Sequence, residues 1–205
     1  MNIGIDIDNV ITDLDAGLLT EFLREDRHKR NAGVIDREKY IIDGMFDWSI
    51  AEIDDFLDNN MERIASELRV RKNCKIYMDR LLADGNQLIL ISHRVYPYYR
   101  HANETTRTWL ARHKINYTKL ILSKAPDKTE ECLANHIDLM IDDRPDMCKV
   151  MRAKGINCIL MQTRYNRREK CDLPCVTSWA KLYDKIKGEE NNENLCNETR
   201  HDRLE

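Results

Sequence analysis

Four short stretches of this 205-residue chain carry residue types that suit chemistry on an anion. In NIGIDIDNVITD, Asp6, Asp8 and Asp13 interrupt an apolar run of Ile3, Ile5, Ile7, Val10 and Ile11. An extended strand places Ile3, Ile5 and Ile7 on one face and Gly4, Asp6 and Asp8 on the other, with both carboxylates at its carboxyl end. A calcium loop of the EF-hand kind is excluded, because Val10 and Ile11 stand where that loop needs an oxygen ligand and a glycine. LILISHR leaves Ser92, His93 and Arg94 just past a second apolar strand. A hydroxyl and a guanidinium there suit an oxyanion such as phosphate.

IDLMIDDRPD sets Asp142 and Asp143 at a further strand end, before a Pro145 that can start a helix. With Asp6 and the backbone carbonyl of Asp8, they would supply the oxygens that Mg²⁺ takes. SKAPDKTEEC reads as a helix starting near Pro126, which presents Lys124 or Lys128 to the same rim. A lysine there would neutralise a carboxylate and a phosphate brought together.

The elements that must hold these residues are legible in the hydrophobic rhythm. From Cys74 onward, amphipathic helices alternate with the strands QLILIS, YTKLILS, IDLMID and NCILMQ. Near-continuous Ile, Leu and Met in each strand indicates burial on both faces. The fold class is therefore α/β: a Rossmann-like open parallel sheet, completed by the first strand, with helices on both faces. Such a sheet binds ligands beyond the carboxyl ends of its strands, where all four stretches fall. Residues 14–72 have a different character, apolar at three- and four-residue spacing, and read as a small helical, strand-free insertion after the first strand. Ser49 and Glu52 form a capping box that predicts a helix from Ile50 to about Leu68. The domain reading is residues 1–13 and 73–188 as core, 14–72 as a helical insertion that the family resemblance given below makes a cap, and 189–205, polar and without aromatics, as a disordered tail.

A formal net charge of -3 gives no global positive field for a nucleic acid polymer or an anionic membrane, so any anionic substrate is held locally. No apolar run is long enough to span a bilayer and no signal peptide precedes the first strand, which reads as a cytoplasmic protein. The seven scattered cysteines read as reduced structural thiols, and the spacing of Cys171 and Cys175 is not that of a zinc knuckle. Walker A and G-x-G-x-x-G sequences are absent.

Asp6-Ile7-Asp8-Asn9-Val10, Ser92, a lysine at 124 or 128, and Asp142-Asp143 together resemble the four ordered motifs of the haloacid dehalogenase superfamily. PDKTEEC, DDRPD and the helical insertion more narrowly resemble the cytosolic type C 5'(3')-deoxyribonucleotidases and their bacterial relatives. The resemblance implies Asp6 as nucleophile, Asp8 as general acid/base, Ser92 as a phosphoryl ligand, Lys128 as the motif-three lysine, and Asp142 supported by Asp143 at a Mg²⁺ site. It implies a Mg²⁺-dependent phosphomonoesterase acting on a small phosphorylated substrate, a nucleoside monophosphate first and a sugar phosphate as the alternative. A non-catalytic Mg²⁺/phosphate-binding regulatory protein is the rival of another class, disfavoured by the intact residue set. Within the cap, Phe46 and Trp48 are the candidates for stacking on a base, against the plainer reading that they form the cap's small core. Asn9 stands where many such phosphatases have glycine, and SHR replaces a threonine-containing second motif.

Overall fold

The computed structural model describes residues 1–167 and 172–188. The tail expected at 189–205 lies outside the described residues. Six strands form one parallel sheet: β1 (Asn2–Ile5), β2 (Gln87–Ser92), β3 (Lys119–Leu122), β4 (Leu139–Asp142), β5 (Asn157–Met161) and β6 (Cys175–Val176). Their spatial order is β3-β2-β1-β4-β5-β6. The sequence pattern yields five of them; β6 is only two residues long, too short to carry a periodicity.

Each strand divides its side chains between the two faces with period two. Ile3, Ile5, Leu88, Leu90, Ile141, Ile159 and Met161 point into one core, beneath α3 (Cys74–Ala83), α4 (Ala102–Arg112) and α7 (Trp179–Lys187). Ile89, Ile91, Met140, Cys158 and Leu160 face the other, under α5 (Thr129–Ala134) and α6 (Pro145–Ala153). Gly4 is required by close approach on this second face, where a Cβ would lie 2.6 Å from Met140 Sδ. β1 sits centrally, paired with β2 through Ile3–Leu88 and with β4 through Ile3–Leu139. The chain builds outward to β3 on one side and then returns to β4 on the other. This reversal opens a crevice above the ends of β1 and β4, the position where such sheets bind ligands.

Between β1 and α3 the chain leaves the sheet and forms α1 (Leu14–Lys29), an irregular turn at Ile41–Met45, and α2 (Ile50–Glu67). The capping box predicted from Ser49 and Glu52 is present and α2 begins at Ile50. This segment has its own apolar cluster, centred on the fully buried Phe22. The Phe22 ring lies 4.8 Å from Trp48, 5.5 Å from Phe46 and 4.7 Å from Phe56, centroid to centroid. Buried Asp26 anchors the cluster's polar edge, accepting from Trp48 Nε1 at 2.9 Å and Gly33 N at 2.7 Å.

The segment is tied to the sheet where the chain leaves and returns. Thr12 and Val70 form an antiparallel bridge, extended by Asp13 N to Arg69 O at 2.9 Å and Arg71 N to Ile11 O at 2.8 Å. Glu62 on α2 accepts from the backbone of Arg100 and His101 at the start of α4. Among the described residues, one cysteine departs from the sequence reading. Cys74, Cys132, Cys148 and Cys158 are buried free thiols, whereas Cys175, in β6, is disulfide-bonded.

Truncating Phe22 to alanine removes the ring on which Phe46, Trp48 and Phe56 pack. The expected cost is about 3–5 kcal/mol, read as a lower urea midpoint for the variant than for the wild-type protein.

Candidate active site

The first carboxylate is placed by the sheet itself. Immediately after β1, Asp6 N donates to Ile141 O at 2.9 Å, so the ladder with β4 continues through Asp6. Beyond it, Ile11 N and Thr12 N both donate to Ile7 O at 2.9 Å, and Ile7, Val10 and Ile11 are buried. Asn9 takes a left-handed conformation, φ 60°, which asparagine tolerates better than other side chains and glycine adopts freely. That accounts for asparagine serving where related motifs carry glycine. Its side chain also accepts from Asp15 N at 2.7 Å at the start of α1.

Lys128 reaches between two strand ends. Its Nζ lies 2.8 Å from Asp6 Oδ1 and 2.7 Å from Asp142 Oδ2, and all three residues are buried. Lys124 is exposed, so the structure brings Lys128, and not Lys124, into the carboxylate cluster. The helix here starts at Thr129, three residues later than Pro126, with Lys128 at its N-cap. Asp142 Oδ1 accepts from Arg144 N at 2.9 Å. Asp143 Oδ2 accepts from the Tyr165 hydroxyl at 2.7 Å, and Asn166 Nδ2 donates to the Asp143 carbonyl at 2.6 Å.

Carboxylate oxygens of Asp6, Asp142 and Asp143 lie within 4.8 Å of one another. Three buried carboxylates face one lysine, and Asp6 Oδ1, although ion-paired, has no well-directed hydrogen bond. That is a donor set of hard oxygens short of positive charge, which fits a divalent cation such as Mg²⁺. The same deficit shifts the carboxyls. Burial, opposed by Lys128 and reinforced by Asp142 and Asp8, raises Asp6 from 3.8 to about 6. Burial, then Asp142 and Asp6, push Asp143 well above the usual carboxyl range. Burial would lower Lys128, but Asp142 and Asp6 more than offset it and hold its ammonium charged.

Ser92, buried, ends β2 beside β1, and its carbonyl accepts from Ser123 N at 2.9 Å. His93 is half-buried, with Nδ1 3.2 Å from Ser123 O. Arg94 is turned away from open space: it is 1% exposed, and its guanidinium pairs with Asp8 at 2.6 and 2.9 Å. The Asp8 side chain is therefore engaged with Arg94 and stands outside the three-carboxylate group. Phe46 and Trp48 require a correction. Both belong to the insertion's own interior, 2% and 7% exposed: Phe46 packs on Phe22 and Trp48, and Trp48 on Phe22 and Phe56, so neither ring is open to a base.

Other residues at the site escaped the sequence reading. Tyr40, from the cap, packs on Tyr165 with ring centroids 4.3 Å apart, and burial with the nearby charges of Asp143 and Asp15 raises its phenol. Arg164 joins the loop after β5 to the cap, donating to Asp15 at 2.6 and 2.8 Å and to the carbonyls of Arg37 and Lys39. Arg164, Tyr165 and Asn166 follow β5 directly, so applying the strand-end rule to that strand too would have found them. Nothing in the cap's sequence singles out Tyr40.

An Asp-x-Asp turn after the central strand, a serine ending the next strand, a buried lysine and an acidic pair ending β4 define a haloacid dehalogenase-type phosphatase, a phosphoric monoester hydrolase. More particularly, the chain belongs to the family described as 5' nucleotidase, deoxy (pyrimidine), cytosolic type C protein, whose model matches residues 1–190. A Chlorobaculum tepidum protein carrying a provisional 5'(3')-deoxyribonucleotidase name is 26% identical over 194 residues, covering 90% of this chain and 89% of the relative. A Clostridium acetobutylicum nucleotidase is 25% identical over 168 residues, covering 82% and 83%. In fold, the chain is similar to a haloacid dehalogenase-superfamily hydrolase of Ehrlichia chaffeensis, with TM-score 0.55 at 12% identity, covering 91% of this chain and 96% of that one.

Replacing Lys128 by methionine leaves Asp6 and Asp142 buried without their cation, at a cost of about 3–5 kcal/mol at neutral pH. The sign of the pH dependence follows from Asp6. A carboxyl raised in the folded state favours folding below its unfolded value of 3.8, and that contribution is lost as pH rises through about 6. In EDTA, urea unfolding should show a larger penalty for Lys128→Met at pH 7.5 than at pH 5, where Asp6 takes up a proton. Equal penalties would contradict this electrostatic account.

Proposed function

We propose that the protein is a Mg²⁺-dependent phosphomonoesterase that works through an aspartyl-phosphate on Asp6, with a nucleoside monophosphate as substrate. The observation that carries this reading is the convergence of Asp6, Lys128 and Asp142 within 2.8 Å contacts at the end of the central strand. A buried carboxylate held on a rigid strand end can attack phosphorus once the charge repulsion between two anions is relieved. Asp6, Asp142 and Asp143 would hold Mg²⁺, with the Asp8 carbonyl as a further oxygen. Mg²⁺ supplies charge neutralisation and orientation of the phosphoryl oxygens.

The remaining roles fall to residues of this chain. Ser92 and His93, on the adjacent strand end, bind the phosphoryl oxygens, and Lys128 neutralises the developing charge. Asp8 protonates the leaving alkoxide, then takes a proton from the water that opens the acyl-phosphate. Residues 14–72 act as the cap over this site, with Tyr40 at its lower edge. The nucleotide assignment rests on the family description and on the two relatives named for nucleotidase activity. A cytoplasmic setting belongs to the same reading, supported by the family description and by four buried free thiols, with the Cys175 disulfide as the exception. Among the described residues no helix is long and apolar enough to cross a membrane.

Phosphate release from p-nitrophenyl phosphate should require Mg²⁺, stop in EDTA, and fall about 10³-fold or more in Asp6→Asn. Equal release by wild type and Asp6→Asn would refute the mechanism. In a screen of 5'- and 3'-nucleoside monophosphates beside sugar phosphates, a nucleotide should give the highest kcat/KM. Feeble, equal rates on every nucleotide, with one sugar phosphate far better, would refute the substrate assignment.

A further inference from the structure

Arg94 makes more directed contacts than a surface cation or a simple phosphate ligand would. Its Nε donates to Asp8 Oδ2 at 2.9 Å and its Nη2 to Asp8 Oδ1 at 2.6 Å, a fork-to-fork pair. Its Nη1 donates to Thr106 Oγ1 at 3.0 Å, and Thr106 is fully buried in α4. The guanidinium also lies over the Tyr99 ring, 5.4 Å from its centroid. Besides Asp8, the guanidinium is thus held by Thr106 and Tyr99, which do not belong to the acidic turn or the carboxylate cluster.

The fork dictates how Asp8 faces the site. A carboxyl group has about four lone-pair directions on its two oxygens. On Oδ1 one is taken by Arg94 Nη2 and another by the Thr12 hydroxyl at 3.3 Å, whereas on Oδ2 Arg94 Nε is the one donor among the described residues. Oδ2 therefore keeps a free direction, and the Asp8 side chain is 16% exposed while that of Arg94 is 0%. We propose that Arg94 is a positioning residue, held by Thr106 and Tyr99, that orients Asp8 so that Oδ2 carries and delivers the proton.

In the step this serves, an Asp6 oxygen forms the new bond to phosphorus as the bond to the leaving oxygen breaks. The leaving oxygen keeps that electron pair and takes the proton from Asp8 Oδ2, and Asp8 is left as a carboxylate facing Arg94. The inference rests on the proposed role of Asp8. It differs from a phosphate-binding role for Arg94 in a measurable way, because a phosphate ligand serves every monoester alike, whereas a proton donor matters most for a basic leaving group.

The test compares kcat/KM, which reports the first chemical step, on an alkyl monophosphate and on p-nitrophenyl phosphate, whose phenolate leaves with little help from a proton. Variants are Asp8→Asn, Arg94→Lys, which keeps charge but loses the fork, and Thr106→Val, which keeps shape and leaves Arg94 and Asp8 in place should Arg94→Lys fold poorly. Arg94→Lys should lose about 10-fold or more further on the alkyl ester than on the aryl ester, in the same direction as Asp8→Asn, and Thr106→Val about 3-fold. Adding Arg94→Lys to Asp8→Asn should produce no further bias. Equal losses on both esters in Arg94→Lys and Thr106→Val, beside a biased Asp8→Asn, would overturn the proposal alone. An unbiased Asp8→Asn would overturn the role of Asp8 itself, and the proposal with it.

Discussion

Lys128 is the cation on which the rest of the site depends. Two carboxylates from different strands, Asp6 after β1 and Asp142 at the end of β4, are buried within 2.8 Å of its ammonium. Desolvating an ion costs several kcal/mol even after relaxation, and a carboxylate pair without a cation would repel as well. The lysine relieves both at once, but one positive charge cannot balance Asp6, Asp142 and Asp143 together. The residual negative charge raises Asp6 and Asp143 above the ordinary carboxyl range and leaves a cluster of hard oxygens suited to a divalent cation. The fold maintains this electrostatic imbalance.

The sheet maintains it by rigidity. β1 is paired on both sides, its isoleucines are fully buried, and Asp6 extends the ladder to β4 by one more hydrogen bond. The two strands that bring Asp6 and Asp142 together are adjacent in space although those residues lie 136 positions apart in the chain. On the solvent side, Arg164 and Tyr165 pack the cap's edge against this rim through Asp15 and Tyr40. The insertion is held by the Arg164–Asp15 ion pair and the Tyr40–Tyr165 contact at the mouth of the site, by backbone pairing at the Thr12–Val70 crossing, and by α2 packed on α4, where Glu62 accepts from Arg100 N and His101 N.

Much of this was legible in the chain. The isoleucine run with Asp6 and Asp8, the LILIS strand ending in Ser92, and the LMID strand before Asp142 and Asp143 each give their element by periodicity and their site residues by position at its end. Residue type and position alone left Lys124 and Lys128 open, and only the resemblance favoured Lys128, because the choice turns on a helix that starts three residues later than its proline suggests. Phe46 and Trp48 looked available for a base because aromatic residues in a cap have no pattern that distinguishes a lining from an interior. Phe22 and Asp26 decide it, by enclosing the rings and accepting the indole N–H.

The sequence by itself determined the alternation of helices and buried strands, the helical insertion, and which strand ends carry oxygen and nitrogen groups. These are local properties, written in hydrophobic period and in residue type. The tertiary structure alone decided which groups meet: Lys128 with Asp6 and Asp142, Tyr165 with Asp143, Arg164 with Asp15, and Arg94 with Asp8 instead of open solvent. These pairs span between 14 and 149 positions of the chain. Their partners are chosen by strand order and by where each side chain's charge can be satisfied out of water, and neither is recorded in local pattern.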